Sequence, residues 1–134
     1  MGDGKRAHIM SSMQRPKYLN LLKIRLPIPG IVSILHRISG FGLFVIMGGL
    51  LWLFDLSLES KEGFELVRVW MSLWFSKIFL IAVFWAFAHH FIAGVRFLFL
   101  DIHWGTEIIL ARLTSVFVLV LSIAITLLFA YWLW

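Results

Sequence analysis

Three long apolar stretches, at residues 32–54, 78–99 and 110–133, constrain this chain more than any other feature. A bilayer core about 30 Å thick takes roughly 20 apolar residues of helix, and each stretch comes close to that length without an internal cluster of charge. With 61% apolar and only 14% charged residues in a chain of 134, too little polar surface remains for an ordinary water-soluble domain. The sequence therefore predicts an all-α integral membrane protein of three transmembrane helices. A basic N-terminal segment at residues 1–30 precedes a single membrane domain at residues 31–134.

The formal charge of +5 does not point to nucleic acid, because the basic residues are not spread over a surface. Lys5, Arg6, Arg15, Lys17, Lys23, Arg25 and Arg37 all precede or open the first span. Positive charge gathered at one flank of a span marks the cytoplasmic side. The N-terminus is thus expected in the cytoplasm, the loop at 55–77 outside, the loop at 96–112 inside, and the C-terminus in the periplasm. The closing Tyr131-Trp132-Leu133-Trp134 suits an aromatic belt at the outer interface. The first span lacks a small-residue cleavage site and two further spans follow, so it reads as a retained helix and not a signal peptide.

Along the chain, residues 1–13 read as a polar extension. Pro27 and Pro29 are expected to stop a helix from running out of the basic segment into the first span. Gly63 and the charges around it mark the outer loop, and residues 64–74 are expected to form a short interfacial helix. Cysteine is absent, so no thiolate-bound metal cluster can be built from this chain alone.

Ionisable side chains are expensive in a bilayer and count there as candidate functional groups. His36, Arg37, His89, His90 and Arg96 all lie toward the cytoplasmic ends of the first two spans. At 1.5 Å of rise per residue, His90 sits about 9 Å deeper than Arg96. Counting by fours gives Ala82, Ala86, His90 and Gly94, a face on which every neighbour of His90 is small. His89 is flanked at the same spacing by Trp85 and Ala93. Two readings stand here: the small face is a slot beside an imidazole that ligates haem iron, or it is a helix-packing seam.

In the first span Ser33, His36, Arg37 and Gly40 fall at i, i+3, i+4 and i+7, on one helical face. A fixed cation beside a hydroxyl can stabilise a carbonyl oxygen gaining negative charge, as a quinone headgroup does on reduction. Arg37 taken alone reads more readily as a side chain that snorkels to lipid headgroups. Arg96 and Asp101 are expected to be solvated or to face headgroups. The third span has Ala111, Ser115, Ser122, Thr126 and Ala130 at helical spacing and is expected to serve packing.

Gln14-Arg15-Pro16, then residues 24–28 (Ile-Arg-Leu-Pro-Ile) and the run from Ser33 to Gly40, together with His90-x-x-x-Gly94-x-Arg96 and Asp101, resemble a known family. It is the cytochrome b membrane-anchor subunit of bacterial succinate:ubiquinone oxidoreductase, respiratory complex II. The resemblance covers nearly all of the chain after residue 13. It implies that His90 is one axial ligand of a haem b shared with a second small membrane subunit. It also implies that Ser33 and Arg37 belong to a ubiquinone site, and that His36 and Arg37 lie near the haem propionates or a proton path. The implied partners are that second anchor, an iron–sulfur subunit and a flavoprotein subunit, and the implied location is a bacterial inner membrane. One departure is Phe97, where many members of the family have histidine.

A bis-imidazole iron needs two histidines at one depth on facing helices. His36, read at the mouth of the first span, and His103, in the inner loop, do not supply the second, so it is expected from another chain. A fumarate reductase anchor and a cofactor-free structural subunit are the alternatives. A transporter fits poorly, because no discontinuous helix is evident at the midplane.

Overall fold

The computed structural model describes residues 26–134, so nearly all of the expected basic segment lies outside the described residues. Helix α1 runs Ile28–Glu59, α2 Lys61–Ser72, α3 Trp74–Asp101 and α4 Ile108–Leu133. No strand occurs among the described residues. Helices α1, α3 and α4 are the ones long and apolar enough to span a membrane. At 1.5 Å per residue the 32 residues of α1 extend about 48 Å, more than a hydrocarbon core requires, so this helix reaches past it or tilts.

Helix α1 begins at Ile28, just after Pro27 and with Pro29 inside its first turn, four residues ahead of the expected start of the span at 32. The reason is positional: the first four N–H groups of a helix have no internal partner, so proline costs nothing there and its fixed φ is already helical. The other end also runs past the apolar stretch, through Asp55 to Glu59. The chain then reverses at Ser60, whose extended backbone (φ −157°, ψ 166°) caps α2 as its hydroxyl accepts from the Gly63 N–H at 2.9 Å.

The short helix expected at 64–74 forms three residues earlier because of this cap, and Gly63 lies inside it instead of in a loop. Gly63 is buried, and a β-carbon there would strike the Leu56 carbonyl of α1. Glycine is thus what lets α2 fold back so tightly.

At the other end of the bundle α3 closes in a Schellman motif. The Trp104 N–H bonds to the Phe99 carbonyl at 3.0 Å, and the His103 N–H to that of Leu100 at 2.9 Å. His103 takes the left-handed conformation (φ 62°), and the rings of Trp104 and Phe99 meet at 5.3 Å in the apolar contact that accompanies this cap.

The bundle is sorted by size as much as by polarity. Val32, Ala93 and Val118 form its buried apolar centre, with Ile92, Phe97 and Leu119 around them. Ser39, Ser76, Ser115, Ser122 and Thr126 are buried as well, while large residues such as Phe44, Leu98 and Leu128 face outward. Lipid tails are as apolar as leucine, so no hydrophobic drive separates the two sets; small residues inside let the helices approach. The hydroxyls of Ser39, Ser115, Ser122 and Thr126 bond within their own helix, as Ser115 to the Ala111 carbonyl at 2.7 Å and Thr126 to that of Ser122 at 2.7 Å. The packing role expected of the third span is what α4 performs.

Gly63→Ala is expected to destabilise the protein by about 1–3 kcal/mol, since the obstructing atom is backbone and cannot move aside. Thermal unfolding in detergent measures it.

Candidate functional site

His90 points into the bundle, not into lipid. Its Nδ1 lies 2.9 Å from the His36 carbonyl oxygen of α1 and 3.4 Å from the Ser39 hydroxyl. A carbonyl oxygen can only accept, so Nδ1 carries the proton and donates it. In the neutral ring Nε2 then keeps the lone pair, and it makes no hydrogen bond among the described residues. Residue i+4 of a helix flanks carbonyl i, and here that residue is Gly40. A β-carbon on Gly40 would lie 2.6 Å from Cε1 of His90 and 3.1 Å from Nδ1. Glycine therefore opens the only approach by which the imidazole reaches the carbonyl.

The arrangement is reciprocal. The His36 ring stacks face to face on that of His90, with centroids 4.1 Å apart and planes 4° apart. Its Nε2 rests over Gly94 of α3, where a β-carbon would sit at 3.4 Å. Each helix thus offers an imidazole to the other and a glycine to receive one. The edge of the His36 ring meets Phe97 at 5.1 Å.

His36 is consequently at the depth of His90, which corrects its expected place at the mouth of the first span. Because α1 starts at Ile28, His36 lies eight residues in, about 12 Å along the helix. This does not make it the second ligand of one iron. The lone pairs of stacked rings lie in parallel planes, whereas two axial imidazoles must aim nitrogens at each other across the metal.

Ser33 is half-buried and Arg37 exposed. The face that was to carry all four residues is divided: His36 and Gly40 turn into the α1–α3 contact, and Arg37 turns out of the bundle. Arg37 makes no ion pair or hydrogen bond among the described residues. His89 is fully buried and stacks on Trp85 at 5.5 Å, with Ala93 buried beside it, in the neighbourhood its spacing suggested. Neither of its ring nitrogens has a hydrogen-bond partner among the described residues.

Arg96 departs from expectation. It is 7% exposed, not solvated, and its guanidinium ties α3 to the start of α4. Nε donates to the Thr114 hydroxyl at 2.9 Å and Nη2 to the Ala111 carbonyl at 3.1 Å. A cation near the end of a span is held inside when a neighbouring helix supplies acceptors, and the sequence did not show which helix would. The signal was the His89, Ala93, Arg96 stripe at i, i+4 and i+7, on which Ala93 marks a buried face. Asp101 is exposed, as expected.

On the α2 side of the His90 ring a half-open furrow of about 270 Å³ separates α1 from α3. Ser39, Gly42, Ala82 and Ala86 are among its lining residues, so the small face seen in the sequence does leave space.

A family model described as the succinate dehydrogenase/fumarate reductase transmembrane subunit matches residues 11–129. The chain belongs to this family. It is 34% identical over 115 residues to the succinate dehydrogenase cytochrome b556 subunit of Rickettsia typhi, covering 86% of this chain and 90% of the relative. The subunits of the same name from Coxiella burnetii (31% over 122 residues, 90% of this chain and 98% of the relative) and Paracoccus denitrificans (33% over 101 residues, 75% and 78%) are also similar. Membership, with the three apolar helices, makes this chain a multi-pass membrane subunit of an enzyme complex.

A cytochrome b subunit must present an imidazole nitrogen to iron, and the residues here fit that need. Metal-ligating histidines commonly donate their other ring N–H to a backbone carbonyl, which fixes the tautomer and aims the ring. His90 has that partner in the His36 carbonyl.

Gly40→Ala is expected to push the His90 ring off the carbonyl and to cost about 1–3 kcal/mol. Gly94→Ala, whose β-carbon would meet only the tip of the His36 ring, should cost less than half as much. Thermal melts of the two variants compare them.

Proposed function

We propose that this chain is the cytochrome b membrane anchor of a succinate dehydrogenase, helping to bind haem b and to form the site where electrons reach ubiquinone. The observation that carries this reading is the 2.9 Å hydrogen bond from His90 Nδ1 to the His36 carbonyl, which leaves the Nε2 lone pair of a half-buried imidazole free. Similarity to cytochrome b556 subunits supports it.

On this reading His90 is one axial ligand, and a second small membrane subunit contributes the opposite one. Haem held there would supply a one-electron store. Of the two residues considered for the propionates, Arg37 has its guanidinium available, while the ring of His36 is engaged by His90 and Phe97. The quinone is a substrate. Ser33 donates a hydrogen bond to one of its oxygens, and Arg37 stabilises the negative charge that gathers there on reduction. A flavoprotein subunit that oxidises succinate and an iron–sulfur subunit that passes the electrons on dock at the cytoplasmic side. The complex sits in a bacterial inner membrane, with the N-terminus of this chain inside and the C-terminus outside. No flavin or succinate site is assigned to this chain.

The purified membrane complex should show a reduced-minus-oxidised haem b absorption band that His90→Leu removes; an unchanged band in that variant rejects the ligand. Ser33→Ala and Arg37→Ala are each expected to slow ubiquinone reduction by roughly 100-fold, with succinate oxidation by a soluble dye retained. Equal loss of both activities contradicts the quinone site. The family description covers fumarate reductases as well, and that reading is favoured if the complex turns over faster with a menaquinol analogue and fumarate than with ubiquinone and succinate.

A further inference from the structure

The contact between His36 and His90 has the form of an orienting device. The bond from His90 Nδ1 to the carbonyl fixes where the ring edge lies, but it leaves the ring able to rotate about the N–H···O axis. The χ2 torsion of histidine is broad and restrains that rotation weakly. A flat group against one face of the ring removes this freedom, and His36 supplies it at 4.1 Å and 4°.

His36 is itself held. Gly94 lies beneath its Nε2, the Phe97 ring stands against its edge at 66°, and the Arg96 guanidinium lies over Phe97 at 5.5 Å while bonded to α4. Arg96, Phe97, His36 and His90 form one column that ends on the imidazole.

We propose that His36 is a positioning residue whose stacked ring sets the plane of the His90 imidazole, acting by shape and not by a hydrogen bond or charge. This rests on the assignment of His90 as an axial ligand. Phe97 is part of the device, since its ring stands against that of His36 at 5.1 Å. Groups that orient a ligating histidine typically change metal retention by about 10- to 100-fold when removed.

The test is electron paramagnetic resonance of the oxidised complex, because the largest g value of a low-spin bis-imidazole haem depends on the angle between the two ring planes. His36→Phe keeps a flat ring and removes the nitrogens; His36→Asn keeps polar atoms and removes the ring. The expected result is a g value close to that of the unaltered complex in His36→Phe, and a shifted, broadened signal in His36→Asn with haem retention down about 10-fold. The reverse pattern, or three indistinguishable signals, overturns the proposal. Should His36→Phe fail to assemble, Phe97→Ala decides. That change leaves both imidazoles in place and is expected to broaden the signal, and an unaltered signal overturns the proposal. A haem signal that persists in His90→Leu overturns the ligand assignment itself, and is distinct from a signal lost there yet unmoved by every change at His36.

Discussion

A single hydrogen bond, from the imidazole of His90 to the backbone carbonyl of His36, ties the fold of this protein to its chemistry. In a bilayer no water is available to satisfy a buried N–H, and an unpaired one costs several kcal/mol by order of magnitude. The imidazole therefore has to find an acceptor on another helix. A helical carbonyl is normally shielded by the side chain four residues on; Gly40 removes that shield. The bond sets the depth at which α1 and α3 meet. It also decides which ring nitrogen keeps a lone pair, so the contact that locks the helices leaves Nε2 free to accept or to ligate.

Other buried polar groups carry less consequence, and His89 has no hydrogen-bond partner among the described residues. Arg96 spends its donors on Thr114 and Ala111 and fastens the first turns of α4. The hydroxyls of Ser115, Ser122 and Thr126 return to carbonyls of their own helix, which permits close approach without asking anything of a neighbour. The apolar side chains that a soluble protein would hide are turned outward, toward lipid. Within this arrangement His89 and His90, adjacent in sequence, have different surroundings. His89 is fully buried and stacks on Trp85, while His90 is half-buried and stacks on His36.

Much of this was legible in the sequence because helical periodicity is a local property. Three spans follow from length and composition, and the small face of His90 from counting by fours. What was not legible depends on the meeting of two helices or on chain ends. The first span starts earlier than its apolar stretch because Pro29 occupies a position where proline is harmless, and that shift carries His36 from the membrane edge to the level of His90. The burial of Arg96 depends on acceptors that α4 brings to it, and no spacing within the second span encodes them. The early start of α2 depends on the Ser60 cap and on the lack of a side chain at Gly63, which reads as a loop signal in isolation.

The central claim is that His90 is the Nδ1-protonated tautomer, held on the His36 carbonyl with Nε2 bare. Magic-angle-spinning NMR of the dithionite-reduced membrane complex tests it most directly, with histidine labelled at the ring nitrogens and the carbonyl carbon. The account predicts a protonated Nδ1 in dipolar contact with the His36 carbonyl carbon, and an Nε2 without a proton. A proton on Nε2, with Nδ1 bare and no such contact, would contradict it.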